Sequence, residues 1–263
     1  MHARRSFLVA GWALVAVVVV WMYVPFATLG VYALHSKNFF SFPIEPTAKW
    51  LVGIVEDDAL LRVLGYTLFK SLAAASLATV IAIPGAIAYT RYSFPGVALY
   101  KRLVLLPIFF PQLVLGIAIL VFLHLLDELP STTTMILGEC VLLGPIAVLV
   151  ISIQMLGYSP EIELAAEDLG ASHWRVFRTI TFPLIAPGVL AGFLFAFTLS
   201  WGNFYIDLYA ASESTLPPWI YGHMQQGFSP QIPAVSVLAV LISLITLLVA
   251  VPLMFRRMRA LHG

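Results

Sequence analysis

The chain has 263 residues, of which 61% are hydrophobic and 10% charged, with a formal net charge of +1 and a mean hydropathy of +0.97. That composition excludes a water-soluble domain and a basic nucleic-acid-binding surface, and it points to an integral membrane protein. The single cysteine, Cys140, excludes an internal disulfide and reads as a small residue inside an apolar run.

Six apolar runs, at about residues 7–34, 66–90, 103–126, 133–156, 184–211 and 232–255, are long enough to cross a bilayer, which takes about 20 residues. The predicted architecture is all-α: one transmembrane domain over residues 1–263, without room for a second globular domain. The first run follows a short basic head, Arg4 and Arg5, and exceeds a signal-peptide core, so an uncleaved anchor is expected. In the loop that follows, residues 49–55 and 59–64 read as short amphipathic helices on the outer surface, with the acidic Glu56, Asp57 and Asp58 between them. Residues 91–102, with Tyr92, Phe94, Pro95, Gly96 and Tyr100, predict a tight turn with interfacial aromatics. Pro84, Pro107, Pro111 and Pro145 lie within apolar runs, as do Gly85, Gly116, Gly138 and Gly144; they are expected to bend helices and let them approach closely. Residues 212–231, bearing Trp219 and Tyr221, are expected to re-enter the membrane or lie on its face. Arg256, Arg257 and Arg259 read as a stop-transfer anchor.

Basic residues set the expected orientation. With both termini in the cytoplasm, the inner set is Arg4, Arg5, Arg91, Lys101, Arg102, Arg175, Arg178, Arg256, Arg257 and Arg259, ten of the fourteen Lys and Arg residues. Lys37, Lys49 and Arg62 fall outside with Glu45, Glu56, Asp57, Asp58, Asp127, Glu128 and Glu213, and Lys70 sits near the start of the second run.

Residues 159–187 form a charged, amphipathic island between apolar runs. Ser159 and Pro160 read as N-cap and first-turn proline, followed by Glu161 and Glu163 where the helix dipole favours acids. Ile162, Ala165, Ala166 and Leu169 share one helical face, and Gly170 stops the helix. Ser172 caps a second helix with Trp174, Phe177 and Ile180 as its apolar stripe, predicted to end before Pro183. Two short helices meeting at an elbow predict a docking element at the membrane surface; the rival reading is an ordinary amphipathic surface helix. None of the four lysines follows a glycine, so the chain has no phosphate loop, and no two of the six histidines lie four residues apart as in a helical metal site. If ATP is used, another chain must bind it.

Glu139 and Asp207 fall inside apolar runs, where a carboxylate costs about 2.5–3.5 kcal/mol at mid-span and so faces a cavity or a partner. Asp207 shares a helical face with Asn203, close in sequence to Trp201 and Tyr205; this set is a candidate substrate pathway, able to hold an amine by charge and cation–π attraction. Its rival is an idle interfacial aspartate. Glu139 reads either as a hydrogen-bonding residue within the bundle or as part of the same passage. No catalytic residue and no metal ligand is assigned.

Ala165, Ala166, Gly170, Ala171, Ile180 and Pro183 fit the pattern Glu-Ala-Ala, a following glycine, and an Ile-x-Leu-Pro ending. The segment thereby resembles the coupling loop of the membrane subunits of bacterial ABC importers. Leu164 stands at the motif's Glu position, with Glu163 one residue earlier, and Phe182 replaces the usual Leu. The resemblance continues with Lys49-Trp50, Asp58-Ala59-Leu60-Leu61, Phe197-Thr198-Leu199-Ser200, Leu216-Pro217, Ile220-Tyr221 and Gly227-Phe228-Ser229-Pro230, which look like the second permease of spermidine/putrescine-type importers. Gly202 and Asn203 occupy the positions where that branch commonly carries an acidic pair.

The resemblance implies the six-helix fold of type I importer permeases, in a bacterial inner membrane, with a coupling loop at residues 157–183. It implies an ATPase-coupling set of Glu163, Ala165, Ala166, Glu167, Asp168, Gly170, Ala171 and Ser172. Expected partners are a second homologous permease, two ATPase subunits and an external solute-binding protein. No cofactor is expected in this chain, ATP and Mg belonging to the ATPases. The expected solute is small and polar, a polyamine or another amine-bearing compound, with iron, phosphonate, thiamine or opine-like solutes as alternatives. Membrane-embedded enzymes and secondary transporters are the rival classes; the first needs a nucleophile–base pair and the second inverted repeats or several intramembrane charges.

Overall fold

The computed structural model describes the backbone of residues 2–37, 42–43 and 45–262, and the side chains of 11–37, 42–43, 45–248 and 252. The side chains of Arg4, Arg5, Arg256, Arg257 and Arg259, used for the expected orientation, lie outside the described residues. The described residues form helices and turns, with one isolated antiparallel bridge between His35 and Pro46. In chain order the helices are α1 (His2–Ala33), α2 (Lys49–Glu56), α3 (Asp58–Thr90), α4 (Val97–Leu103), α5 (Gln112–Leu125), α6 (Thr132–Leu156), α7 (Glu161–Asp168), α8 (His173–Val176), α9 (Phe182–Trp201), α10 (Tyr205–Ala210), α11 (Leu216–Gln226) and α12 (Gln231–His262).

Among the described residues, five helical stretches are long and apolar enough to cross a bilayer: Gly11–Ala33, Asp58–Thr90, Thr132–Leu156, His173–Trp201 and Gln231–Leu248. A further apolar pair, Val97–Phe109 and Gln112–Leu125, is bent by 105° at the break between its helices and makes a sixth passage when taken as one span. The third run, expected at 103–126 with bends at its prolines, is broken between Phe109 and Gln112. Pro107 opens a 3₁₀ turn over Leu106–Phe109, and Pro111 caps α5 with ψ 129°. Each proline removes a backbone donor, and the residue before Pro111, Phe110, is extended with φ −79° and ψ 136°. The predicted outer helix at 59–64 is not separate but is the first part of α3, because Asp57 Oδ1 accepts the backbone N–H groups of Ala59 and Leu60, both at 3.0 Å. The fifth run, expected at 184–211, is helical from His173 and is interrupted between α9 and α10.

The chain divides into two compact units. In the first, residues 1–61 and 220–242, Trp50 Nε1 donates to the His35 carbonyl at 2.9 Å, and Thr47 N–H to the Leu34 carbonyl at 2.7 Å. The Ser36 and Lys37 hydrogen bonds, with the Lys37 charge, hold the exposed Glu45 carboxyl below its ordinary pKa.

In the second unit, residues 62–219 and 243–263, the core is made by α3, α6 and α9. Ala74, Ala78, Ala82 and Ala86 recur every four residues along α3 and are all fully buried. Such a stripe of small side chains lets helix backbones approach closely, the main source of packing energy where lipid removes the hydrophobic drive. Ala82 and Ala86 meet Ala147, Val148, Ile151, Met155 and Ile185 in one cluster; Leu115, Leu123, Met135, Leu142, Ile206 and Ala210 form another.

Candidate functional site: an exposed elbow and a buried charge cluster

The elbow is built from local signals. Ser159 Oγ accepts the Glu161 N–H at 3.2 Å, and Glu161 and Glu163 occupy the first turn of α7. At its other end Gly170 has φ +85° and donates to the Glu167 carbonyl at 2.8 Å, while Ala171 N–H reaches the Ala166 carbonyl at 3.0 Å. Those two bonds are a Schellman cap, whose left-handed position favours glycine. Ser172 then accepts the Arg175 N–H at 3.4 Å and starts α8.

Pro183 does not end this second helix, as the sequence suggested. The chain passes through a π turn, Phe177–Thr181, and runs directly into α9. Pro183 stands directly after the π turn, in the first turn of the renewed α-helix. Trp174 stacks on Phe177 at 5.5 Å between centroids.

Leu164, Leu169 and Trp174 are 58%, 91% and 69% exposed, an apolar surface carried by short helices in an otherwise polar segment. Of the expected coupling set, Ala165, Asp168, Gly170 and Ser172 are exposed, and Ala166, Glu167 and Ala171 half-buried. Glu167 faces His173 Nδ1 at 2.7 Å. Glu163 departs from the set: its carboxylate turns inward to Arg91 (3.0 Å), Tyr158 (2.9 Å) and Thr181 (2.6 Å). Burial raises the Tyr158 pKa above its ordinary value, and the Glu163 hydrogen bond acts in the same direction, so the phenol remains a donor.

The two intramembrane carboxylates meet a residue that the sequence reading left at the start of a span. Lys70 Nζ donates to Glu139 Oε1 at 2.8 Å, to Asp207 Oδ1 at 2.9 Å and to the Ser200 carbonyl at 2.6 Å, and Asp207 Oδ2 lies 2.8 Å away as an ion-pair contact. Glu139 Oε2 accepts from Ser200 Oγ, and Asp207 Oδ2 from Thr215 Oγ1 at 2.6 Å. The Lys70 and Glu139 side chains are 0% exposed, and so is that of Asp207. The chain's own ammonium therefore lies beside Asp207. Asn203 Oδ1 is also committed, accepting the N–H of Ile206 in the first turn of α10 at 3.1 Å. Trp201 stacks on Phe197 and Tyr205 packs edge-on to Phe204.

A cleft of about 600 Å³ opens between α3 and α9, lined by Ser76, Thr79, Val80, Phe182, Val189 and Phe193 among others, none of them charged. Among the described residues, no group of three or more His, Cys, Asp or Glu side chains is placed to hold a metal ion.

Residues 78–259, which include the elbow, the α9–α10 break and the last part of α3, match the family described as binding-protein-dependent transport system inner membrane component. The chain belongs to that family. It is the multi-pass, non-enzymatic permease subunit of an ABC importer. The permease is 28% identical over 227 residues to the spermidine/putrescine transport system permease protein PotC of Escherichia coli (strain K12), covering 86% of each chain. It is 27% identical over 226 residues to the putrescine permease PotI of the same strain, covering 82% of this chain and 80% of the other. It is also 32% identical over 179 residues to the molybdenum permease ModB of Haemophilus influenzae, covering 61% of this chain and 78% of the other.

Among solved structures, the permease superposes on a chain of a bacterial ABC transporter involved in the import of the acidic polysaccharide alginate, with TM-score 0.72 and 14% identity, covering 97% of this chain and 98% of that one. A chain of the MetNI methionine ABC transporter gives TM-score 0.62 at 14% identity, covering 76% and 99% respectively. These likenesses establish the all-α importer-permease fold.

Proposed function

We propose that this permease docks an ATPase subunit through the α7–α8 elbow and thereby couples ATP hydrolysis to movement of its helical bundle. The observation that carries the reading is the exposed apolar surface of Leu164, Leu169 and Trp174 around a glycine-capped turn, in a chain with no phosphate loop. Under this reading residues 1–263 form one transmembrane domain with both termini in the cytoplasm. A second homologous permease completes the passage, two ATPases hold ATP and Mg, and an external binding protein delivers the solute. A chain of the alginate transporter in complex with a periplasmic protein bound to an alginate pentasaccharide shares the fold at TM-score 0.69, which supports the last of these.

The Gly170 conformation gives the test. A residue with a Cβ pays about 1–2 kcal/mol in the left-handed region, and β-branching adds to it. No atom outside the local turn lies within 4 Å of where that Cβ would stand, so Gly170→Val strains the elbow without a clash elsewhere. The variant is expected to insert normally and to lose most ATP-driven uptake in reconstituted vesicles. Wild-type uptake together with normal ATPase binding would overturn the assignment.

The proposed solute is a small amine-bearing compound of the polyamine class, on the strength of the PotC and PotI likenesses over more than four-fifths of the chain. Glu139 and Asp207 would then organise the bundle rather than hold the solute, and its affinity would reside in the external binding protein. Vesicles carrying the whole transporter should accumulate labelled putrescine or spermidine. Uptake of molybdate, the oxyanion suggested by the ModB likeness, with neither amine moving, would exclude the polyamine reading.

A further inference from the structure

We infer that Arg91 and Glu163 form a clamp that transmits movement of the elbow to three membrane helices at once. Arg91 follows the last residue of α3 and is held in helical register by its N–H bond to the Ile87 carbonyl at 2.8 Å. Its guanidinium donates from Nε to Glu163 Oε2 at 3.0 Å, and from Nη2 to the carbonyls of Met155 at 3.1 Å and Tyr158 at 3.5 Å. Met155 lies in the last turn of α6, whose carbonyls have no helical partner and attract a cation. The guanidinium also lies over the Tyr158 ring, 4.5 Å from its centroid.

The other Glu163 oxygen accepts from Tyr158 and from Thr181, the last residue of the π turn that leads into α9. One carboxylate on α7 is thus shared by donors from the end of α3, the 157–160 connection and the start of α9, while Arg91 adds the end of α6.

Two features make this arrangement a transmission rather than a simple staple. First, the Arg91 and Glu163 side chains are only 13% and 15% exposed, so their charge-assisted bonds are shielded from competing water and salt. Second, the clamp borders a cleft of about 140 Å³, which leaves room for the linked helix ends to shift. The π turn at Phe177–Thr181 is a local departure from α-helical geometry of the kind found at functional positions. Without the clamp, a push on α7 reaches the spans along the chain, through residues 157–160 and 169–172, and through the exposed Glu167–His173 contact at 2.7 Å. With it, the same push is delivered through rigid polar bonds to α3, α6 and α9.

The inference rests on the elbow being the ATPase-docking element, and the experiment separates the two. Arg91→Gln, Glu163→Gln and the double variant are assembled with the ATPase and binding protein in vesicles. ATPase co-purification, ATP hydrolysis and solute uptake are then measured on each. Each single variant should retain ATPase binding while uptake per ATP hydrolysed falls on the order of tenfold, as expected for losing one charge-assisted contact from the transport step. The double variant should be no worse than either single one, because both remove the same link. Additive losses, or unchanged uptake per ATP with ATPase binding intact, overturn the clamp. If Gly170→Val leaves ATPase binding and uptake at wild-type levels while the clamp variants still lose uptake per ATP non-additively, it is the docking reading that fails.

Discussion

Lys70→Met is expected to abolish accumulation of the folded permease, and neutralising its two partners in the same chain is expected to restore it. The lysine is the cation seen by Glu139 and Asp207, and all three side chains are fully buried. Deleting one member of a buried ion pair costs about 3–5 kcal/mol, because the remaining charge is left without compensation. Here two carboxylates lose the same partner and then face each other. The variant Lys70→Met/Glu139→Gln/Asp207→Asn keeps side-chain size and removes every charge, so polar shape is preserved without an orphaned ion. Membrane abundance and a monodisperse complex after detergent extraction are the readouts. If Lys70→Met behaves as wild type, the cluster does not hold the bundle. If the triple variant folds but takes up no solute, these side chains act in the passage as well, and the purely organising role assigned to them is wrong.

The helical elbow was legible in the sequence because its determinants are local. Ser159, Gly170 and Ser172 act on backbone groups within a few residues, while Pro160, expected in the first turn, stands at the N-cap position of α7. The direction of Glu163 was not legible. Its partners Arg91 and Thr181 lie 72 and 18 residues away, and only the convergence of helix ends brings them together.

The same limit explains Lys70. Hydropathy registers one lysine as a tolerated interruption of an apolar run, whereas its role depends on partners 69 and 137 residues away. A signal was present all the same: two costly carboxylates in a bundle require a cation or protons, and Lys70 was the basic residue nearest to mid-span. The break in the third run was half legible. Pro107 and Pro111 announced a bend, but composition carries no angle, and a run of the right length was read as one span.

Gly116→Val is expected to be among the most damaging substitutions outside the charge cluster, whereas Gly144→Ala should be silent or slightly stabilising. Both glycines sit in apolar helices and were indistinguishable in the sequence. A Cβ on Gly116 would lie 2.8 Å from the Tyr205 carbonyl oxygen and 3.0 Å from its carbon, with Tyr209 Cδ2 at 3.1 Å. Backbone cannot rotate away, so α5 and α10 must separate. Overpacking of this kind costs about 1–3 kcal/mol, and more when backbone is the obstacle. The damage would spread, because α10 carries Asp207 and its bond to Lys70 at 2.8 Å. Gly144 has no atom within 4 Å of the corresponding position, so a methyl group there meets open space and relieves the helix of glycine's cost of about 0.5–1 kcal/mol. Thermal denaturation of the detergent-solubilised complex reads both. A Gly116→Val protein as stable as wild type would mean that α5 and α10 are not held in the close contact described here, and with it would fall the view that the broken third passage is fixed against the α9–α10 break.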